Sequence, residues 1–116
     1  MQPDLWTSRE DVMLGDDLVG YDVRGSDGRI GKVDRVTYAK TCVVVSTSRL
    51  FGKRYVIPAS SVERIDPDSQ AIFVDLSKGE VENSPQYDDR LGFDDDCEAK
   101  TEGYYAELLA DHASVR

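Results

Sequence analysis

Short apolar runs with polar residues at alternate positions recur between residues 18 and 76. In residues 18–24, 30–39, 55–57 and 71–76, apolar side chains fall mainly on every second position, as they do in a strand with one buried face. The run CVVV at residues 42–45 lacks this alternation, so it predicts a strand that is buried on both faces. Turn residues separate the runs, and the whole pattern predicts an all-β domain.

The connections between these runs are short. The sequence ASSVERI at residues 59–65 has apolar residues three apart and predicts one helical turn. Residues 66–69 (DPDS) have the order that a type I turn favours, and residues 77–80 (SKGE) have the spacing of a helix capping box. Because a set of five or six short strands exposes its edges unless the sheet closes, we expect a small closed or half-closed barrel.

The formal net charge of the 116-residue chain is −9, and this charge lies at the two ends. The part from Asp88 onward carries nine acidic against three basic side chains, whereas the middle of the chain is balanced. Because acidic ends repel a polyanion, this distribution argues against nucleic acid as a partner. The predicted parts are an N-terminal arm, a barrel domain and an acidic extension with a candidate short helix: residues 1–16, 17–88 and 89–116.

Both ends contain aromatic side chains that a free tail does not need. Trp6, the only tryptophan, either packs over one end of the barrel or contacts a partner. Residues 88–103 read as a solvated acidic linker, and residues 103–110 (GYYAELLA) predict two turns of helix that present Tyr104 and Tyr105 to a surface. Trp6 and the two tyrosines are therefore candidate partner contacts.

Three glycines lie three residues apart in the stretch GYDVRGSDGRIG at residues 20–31. A phosphate-binding loop opens a helix, whereas Gly31 is followed by the strand-like sequence KVDRVTYA. A tight turn around Asp27, between Gly25 and Gly28, explains the pattern better, with Gly28 at a positive φ and Gly31 at a bulge or a close approach of two backbones. The sequence therefore predicts no nucleotide cofactor.

One local cluster of basic residues lies between two predicted strands. Its basic residues are Arg49, Lys53 and Arg54, and they bracket the apolar residues Leu50 and Phe51. These side chains either form a solvated hairpin tip or dock an acidic surface, with the phenylalanine as an aromatic anchor surrounded by charge.

Candidate catalytic and metal-binding residues are sparse. His112, the only histidine, lies in the acidic tail, and the aspartates at 88–89 and 94–96 lack the spacing and the distal Glu of a calcium loop. We therefore predict no catalytic residue, no cofactor and no metal. No apolar stretch approaches the ~20 residues of a membrane-spanning helix, and no signal-peptide pattern begins the chain, so we expect a cytoplasmic protein without membrane insertion.

The stretch LVGYDVRGSDGRIGKVDRV, followed by RLFGKRYVIPASSVERIDPDSQAIFVDLSKGEVENSPQYD, resembles a PRC-barrel domain. The matching features are a hydrophobic-Gly-x-x-Val start, a D-G-x-x-I-G-K-V hairpin, an F-G-x-x-x-x-x-P segment and a closing S-P-x-Y-D. They follow the family's order over residues 18–88. The Leu-Trp and Tyr-Tyr pairs near the ends resemble stand-alone PRC-barrel proteins of actinobacteria, whereas STSRL at residues 46–50 departs from their D-T-G-P-W-I segment.

The resemblance implies a small six-stranded antiparallel barrel without catalytic residues. The family includes the cytoplasmic domain of the photosynthetic reaction-centre H subunit and the C-terminal domain of a ribosome maturation factor, which both use the barrel as a docking surface. We therefore expect a non-catalytic module that acts through protein–protein contacts, as an adaptor, assembly domain or homodimer. The alternative is an RNA- or ribosome-associated module that uses Arg49, Lys53 and Arg54.

Overall fold

The computed structural model describes residues 6, 8–9, 12–37, 41–47, 53–88 and 95–114. Arg49, Leu50 and Phe51 of the predicted basic tip lie outside the described residues. The described strands and helices are β1 (Asp22–Gly25), β2 (Gly28–Thr37), β3 (Cys42–Ser46), β4 (Arg54–Pro58), β5 (Val62–Asp66), β6 (Ala71–Val74), α1 (Lys78–Glu82) and α2 (Asp95–Ser114). Short 3-10 turns at Asp16–Leu18 and Ala59–Ser61 precede β1 and β5.

The six strands form one mixed sheet in the order β4-β3-β2-β1-β6-β5. Neighbouring strands are antiparallel except for β1 and β6, which run in parallel. The sheet is open, because β4 and β5 are its edges and do not pair with each other within the described residues. The predicted β-rich class is confirmed, whereas the prediction of an antiparallel barrel is wrong, because the sheet of the described strands is mixed and does not close.

The parallel pair follows from the corner between β4 and β5. Successive reversals from β1 to β4 leave β4 antiparallel to the direction of β1. The Ala59–Ser61 turn then bends the chain without reversing it, so the β5–β6 reversal returns β6 to the direction of β1. Because only three residues join the two edge strands, the sheet has to curl strongly, and its inner side encloses the apolar core.

The glycine segment forms the β1–β2 hairpin. Gly25 pairs with Gly28 across a two-residue turn of Ser26 and Asp27, and Gly28 has a φ of 132°, which L-residues with a side chain rarely adopt. The turn also contacts the start of α1, since Oδ1 of Asp27 accepts a hydrogen bond from the backbone N–H of Lys78 at 3.0 Å.

Gly31 lies where β2 bulges and approaches β3. The register against β1 shifts between Val23 and Arg24, which leaves Ile30 as the extra residue of β2. A Cβ on Gly31 would lie 2.2 Å from the carbonyl oxygen of Ser46 in β3. The two backbones therefore approach each other at a distance that only glycine allows.

Two apolar clusters form on the two sides of β3 and β4. The inner cluster draws on every strand, and its members are Val12, Leu14, Leu18, Val23, Ile30, Val33, Val43, Val45, Tyr55, Ile57, Ala59, Val62, Ile72, Val74, Leu76, Val81 and Tyr105. The outer cluster consists of Cys42, Val44, Val56 and Tyr87. β3 is therefore buried on both faces, which is why its sequence CVVV contains no polar break.

The described part of the N-terminal arm packs against the sheet. Val12 and Leu14 are buried members of the inner cluster. Arg9 holds the arm in place: its Nη2 lies 2.7 Å from Oδ2 of Asp75, and its Nε donates a hydrogen bond to the carbonyl oxygen of Ser60 at 2.9 Å. The apolar core therefore extends across the predicted boundary between arm and barrel.

The helix α2 is longer than the sequence predicted. Residues 95–102, expected to form a solvated linker, are helical. Asp95, Asp96 and Glu98 lie in the first turn, where negative side chains interact favourably with the helix dipole, and Asp96 pairs with Lys100 one turn later at 3.0 Å. The acidic composition that indicated a linker therefore stabilises the start of a helix.

Two tyrosines attach α2 to the rest of the fold. Tyr105 is 1% exposed, and its hydroxyl donates a hydrogen bond to the carbonyl oxygen of Val56 in β4 at 2.8 Å. The hydroxyl of the partly buried Tyr104 donates to the carbonyl oxygen of Glu80 in α1, and the two rings meet edge to face. The expected partner contact at Tyr105 is therefore corrected, because burial makes this side chain part of the core.

Candidate functional site

The strand register brings four side chains from three separate segments of the sequence into one row. Arg24 of β1 pairs with Arg29 of β2 and with Phe73 of β6, and Phe73 pairs with Arg64 of β5. We call these four residues, in the order Arg29, Arg24, Phe73 and Arg64, the arginine row. Since adjacent strands lie about 4.8 Å apart, the row spans about 14 Å across four strands.

The arginine row lies on the outer face of the sheet. Val23 and Ile72, which precede Arg24 and Phe73 in their strands, are fully buried in the core. Because side chains alternate along a strand, Arg24 and Phe73 point away from that core. The three arginines are exposed and Phe73 is half-buried, so the row offers solvent an aromatic ring between positive charges.

Two kinds of contact orient the side chains of the row. The guanidinium carbon of Arg64 lies 3.9 Å from the centroid of the Phe73 ring, in a cation–π contact. At the other end, Asp22 Oδ1 lies 3.3 Å from Nε of Arg29, and Asp22 Oδ2 lies 3.8 Å from Nη2 of Arg24. One carboxylate thus faces two half-exposed arginines, so this end keeps a net positive charge and further N–H donors. Such exposed ion pairs are weak, and an incoming anion can compete for them.

A second line of outward residues connects the row to the basic tip. Asp22 pairs with the exposed Lys32 in β2, Lys32 pairs with Ser46 in β3, and Ser46 pairs with Arg54 in β4. Lys53, beside Arg54, is exposed. The two described basic residues of the tip therefore border the same outer face as the arginine row.

Arg54 is held in a local network at the edge of this face. Its Nε lies 3.4 Å from Oδ2 of Asp34, and Nε of Arg35 lies 3.0 Å from the same oxygen. The guanidinium of Arg35 also lies over the ring of Tyr87, 5.6 Å from its centroid. Arg54 is therefore less accessible than the arginines of the row, and the centre of positive charge lies on β1, β2 and β5.

Acidic side chains border the row on β5. Glu63 is exposed where the β5–β6 register shifts. Asp66 accepts hydrogen bonds from the hydroxyl of Ser69 and from the backbone N–H of Asp68, and these bonds lower the pKa of its carboxyl group. The Asp66 carboxylate is therefore already hydrogen-bonded within the turn that follows β5.

The helix α2 of the acidic extension is attached to the sheet at β3 and β4. Tyr105 joins α2 to β4, and Cys97 packs against the outer cluster of β3 and β4. Trp6 is half-buried, packs against both apolar clusters and donates a hydrogen bond from Nε1 to Oε1 of Glu102 at 3.3 Å. The described contacts thus attach the acidic helix at β3 and β4, whereas the arginine row lies on β1, β2, β5 and β6.

The proximity of two residues of the arginine row could be predicted from the sequence. Arg24 and Arg29 flank the predicted turn at residues 26–28, so a tight hairpin places them close to each other. The pairing of β1 with β6 is non-local, and no pattern connects these arginines to Phe73 and Arg64. Sequence reasoning that considers only basic residues adjacent in the chain therefore misses the row.

The thiol of Cys42 is buried in the outer cluster. Burial raises its pKa from an ordinary value of 9.0 to about 12, because a thiolate in this apolar setting loses its hydration. In the unfolded chain the thiol ionises at the lower pKa. The contribution of Cys42 to stability is therefore complete below pH 9 and is lost as the pH rises towards 12.

We expect an alkylating reagent to modify Cys97 in the folded protein and to leave Cys42 unmodified until the chain unfolds. The thiolate is the reactive form, and the Cys42 side chain is 0% exposed, whereas Cys97 is partly exposed. Mass spectrometry after timed treatment with iodoacetamide, with and without denaturant, measures the two rates. Equal labelling of both thiols in the folded protein would contradict the packing of α2 on β3.

The described residues were compared with two further kinds of site, a metal-binding cluster and a membrane-spanning helix. No three His, Cys, Asp or Glu side chains in these ranges are placed to hold a metal ion. No helix in the part of the chain that the structure describes is both long and apolar enough to cross a membrane.

Comparisons with known proteins give a weak similarity to a solved structure. No protein-family model matches the chain, and no curated protein sequence does. Among solved structures, the chain is similar to one from Pseudomonas aeruginosa described as a 16S ribosomal RNA processing protein, RimM, with a TM-score of 0.45 and 20% identity. The match covers 53% of this chain and 42% of that chain. A similarity of this size defines neither a family nor a function, so the PRC-barrel resemblance continues to rest on the sequence motifs.

Proposed function

We propose that the protein is a non-catalytic binding module of the PRC-barrel type that docks an anionic macromolecule on the arginine row. The observation that carries this proposal is the alignment of Arg29, Arg24 and Arg64 across four neighbouring strands. Guanidinium groups present several N–H donors in a fixed plane, and they bind phosphates and carboxylates well. The contact surface is thus the sheet face, with Lys53 and Arg54 at its margin.

The net charge of −9 does not prevent such binding. The molecule measures 35 × 32 × 26 Å, whereas the screening length at physiological ionic strength is about 8 Å. Charges that lie farther than this from the row therefore act only weakly on a ligand bound there, and the charges of the three arginines and of Asp22 dominate. The expectation that nucleic acid is an unlikely partner came from the acidic ends and the balanced middle of the sequence, and the row of three arginines within that middle supports its revision.

A charge-reversal experiment tests the proposal. The double variant Arg29→Glu/Arg64→Glu is compared with Lys78→Glu/Lys100→Glu, which changes the net charge equally but alters exposed residues of α1 and α2. Fluorescence anisotropy with labelled heparin, used as a general polyanion, should show a loss of affinity of about tenfold or more in the first variant only. Equal losses in both variants would show that binding follows net charge, and the proposed site would be rejected.

Self-association is a second candidate, because one chain carries both the arginine row and an acidic helix. The first turn of α2 exposes Asp95 and Asp96, so α2 of one copy has the charge to bind the row of another. Sedimentation velocity should then show a dimer that dissociates as salt rises above about 0.1 M, where the screening length falls below ~10 Å. A monomer at low salt would exclude the homodimer, and a dimer that salt leaves unchanged would indicate an apolar interface.

A further inference from the structure

We propose that the partner of the arginine row is single-stranded RNA, an inference that rests on the proposed function. The row combines the two features that bind single strands: positive charge along a line and an aromatic ring within that line. Phe73 lies between Arg24 and Arg64 on the outer face and is half-buried, so its ring is fixed by the sheet without being enclosed by it.

The geometry around Phe73 suits a stacked base. The Arg64 guanidinium already lies over the ring at 3.9 Å. A nucleobase stacks either on the ring, after displacing this exposed side chain, or on the outer face of the guanidinium, since both planes bind bases. An acidic protein segment binds through its carboxylates, and these do not stack on an aromatic ring. The phenylalanine therefore favours nucleic acid over an acidic peptide.

The length of the row limits what it binds. A span of about 14 Å corresponds to about four nucleotides at the ~3.4 Å spacing of a stacked strand. In a duplex the faces of the bases are stacked within the helix, so they do not reach an aromatic ring on the outer face of a sheet. The row therefore fits a short single-stranded segment, with phosphates near Arg24 and Arg29 and a base near Phe73.

The carboxylate of Asp22 favours the binding of RNA over that of DNA. It lies beside Arg24 and Arg29 and has acceptor lone pairs in addition to those that face the two guanidinium groups. A ribose 2′-hydroxyl is a hydrogen-bond donor that deoxyribose lacks, and it can donate to this carboxylate. The carboxylate repels the phosphates of both strands alike, so the contact with the 2′-hydroxyl is what favours RNA.

Equilibrium binding to four labelled probes tests the inference on the full chain. The probes are a single-stranded RNA of ~12 nucleotides, DNA of the same sequence, the RNA duplex and a polyglutamate peptide. We expect the order of affinity to be single-stranded RNA first, then DNA, with duplex and polyglutamate weakest. With three arginines in contact, the logarithm of the RNA association constant should fall with the logarithm of salt concentration with a slope of about −2.

Substitutions at Phe73 and Arg29 separate stacking from charge. Phe73→Leu should weaken RNA binding about 5- to 100-fold without changing the salt slope, and Phe73→Tyr should restore it, because a tyrosine ring also stacks. Arg29→Gln should reduce the slope by about 0.7, whereas Lys78→Gln should leave it unchanged. Thermal melts by circular dichroism identify any variant whose loss of binding follows from unfolding, and Phe73→Tyr gives a folded comparison.

The outcomes distinguish the two proposals. Binding of heparin or polyglutamate without binding of RNA would overturn the RNA inference and leave the anion-binding function intact. No binding of any probe would overturn both. RNA binding that Phe73→Leu does not weaken, or equal binding of single strand and duplex, would also overturn the inference, because the aromatic ring would then play no part.

Discussion

Replacing Gly31 with alanine is expected to lower the free energy of unfolding by about 3 kcal/mol or more. The new Cβ would lie 2.2 Å from the carbonyl oxygen of Ser46 and 2.9 Å from its carbonyl carbon. Both atoms belong to the backbone of β3, which is buried on its two faces, so the clash can be relieved only by separating β2 from β3. Chemical denaturation followed by circular dichroism measures the change.

The chain offers two controls for this prediction. Gly28→Ala tests backbone conformation alone, because Gly28 has a φ of 132° and a Cβ added there would meet no other atom within 4 Å, so the expected cost is about 1–3 kcal/mol. Gly79 in α1 also has open space around it, and its replacement by alanine should be neutral or stabilising by up to about 1 kcal/mol. If Gly31→Ala proves no worse than Gly79→Ala, the close approach of β2 and β3 is wrong.

Truncating Tyr105 to alanine is expected to cost about 3–5 kcal/mol, a large part of the stability of a domain of this size. Tyr105 is 1% exposed within the inner cluster, and its removal leaves a cavity between α2 and the sheet. The carbonyl oxygen of Val56 also loses the hydroxyl donor. Thermal and chemical denaturation of the full chain measure the loss.

Further variants separate packing from hydrogen bonding at this position. Tyr105→Phe keeps the ring and removes only the hydroxyl, so it should cost about 1 kcal/mol. A chain that ends after Asp88 lacks α2 altogether and exposes the inner and outer clusters where Tyr105 and Cys97 pack, so we expect it to lose its cooperative melt. Retention of full stability by this shortened chain would show that the fold of residues 1–88 does not depend on α2.

Several local features of the fold could be predicted from the sequence, because they depend on residues that are close in the chain. The hairpin at Ser26 and Asp27 follows from the glycines on either side. The capping box is present as its spacing predicts: Ser77 Oγ accepts from the backbone N–H of Glu80 at 3.1 Å, and the Glu80 side chain accepts from the backbone N–H of Ser77 at 2.9 Å. In each case the chemistry of three or four residues is sufficient.

The errors of the sequence reasoning share one physical cause, since each concerns contacts between distant segments. The Ala59–Ser61 connection has the length of a hairpin turn, but it continues in one direction and thereby makes β6 parallel to β1. The acidic residues at the start of α2 suit both a solvated linker and the N-terminus of a helix. The burial of Tyr105 decides in favour of the helix, and a tyrosine 49 residues away from Val56 gives no local sign of that contact.

The sequence by itself determined the β-rich class, the positions of the turns and the burial of CVVV, because alternation and turn chemistry act over short distances. Only the tertiary structure decided where the charges lie. Arg24 and Arg29 meet through a local hairpin, but Phe73 and Arg64 join them through the non-local pairing of β1 with β6. A net charge adds these side chains to the acids of α2, whereas binding depends on which charges share a surface within a screening length of about 8 Å.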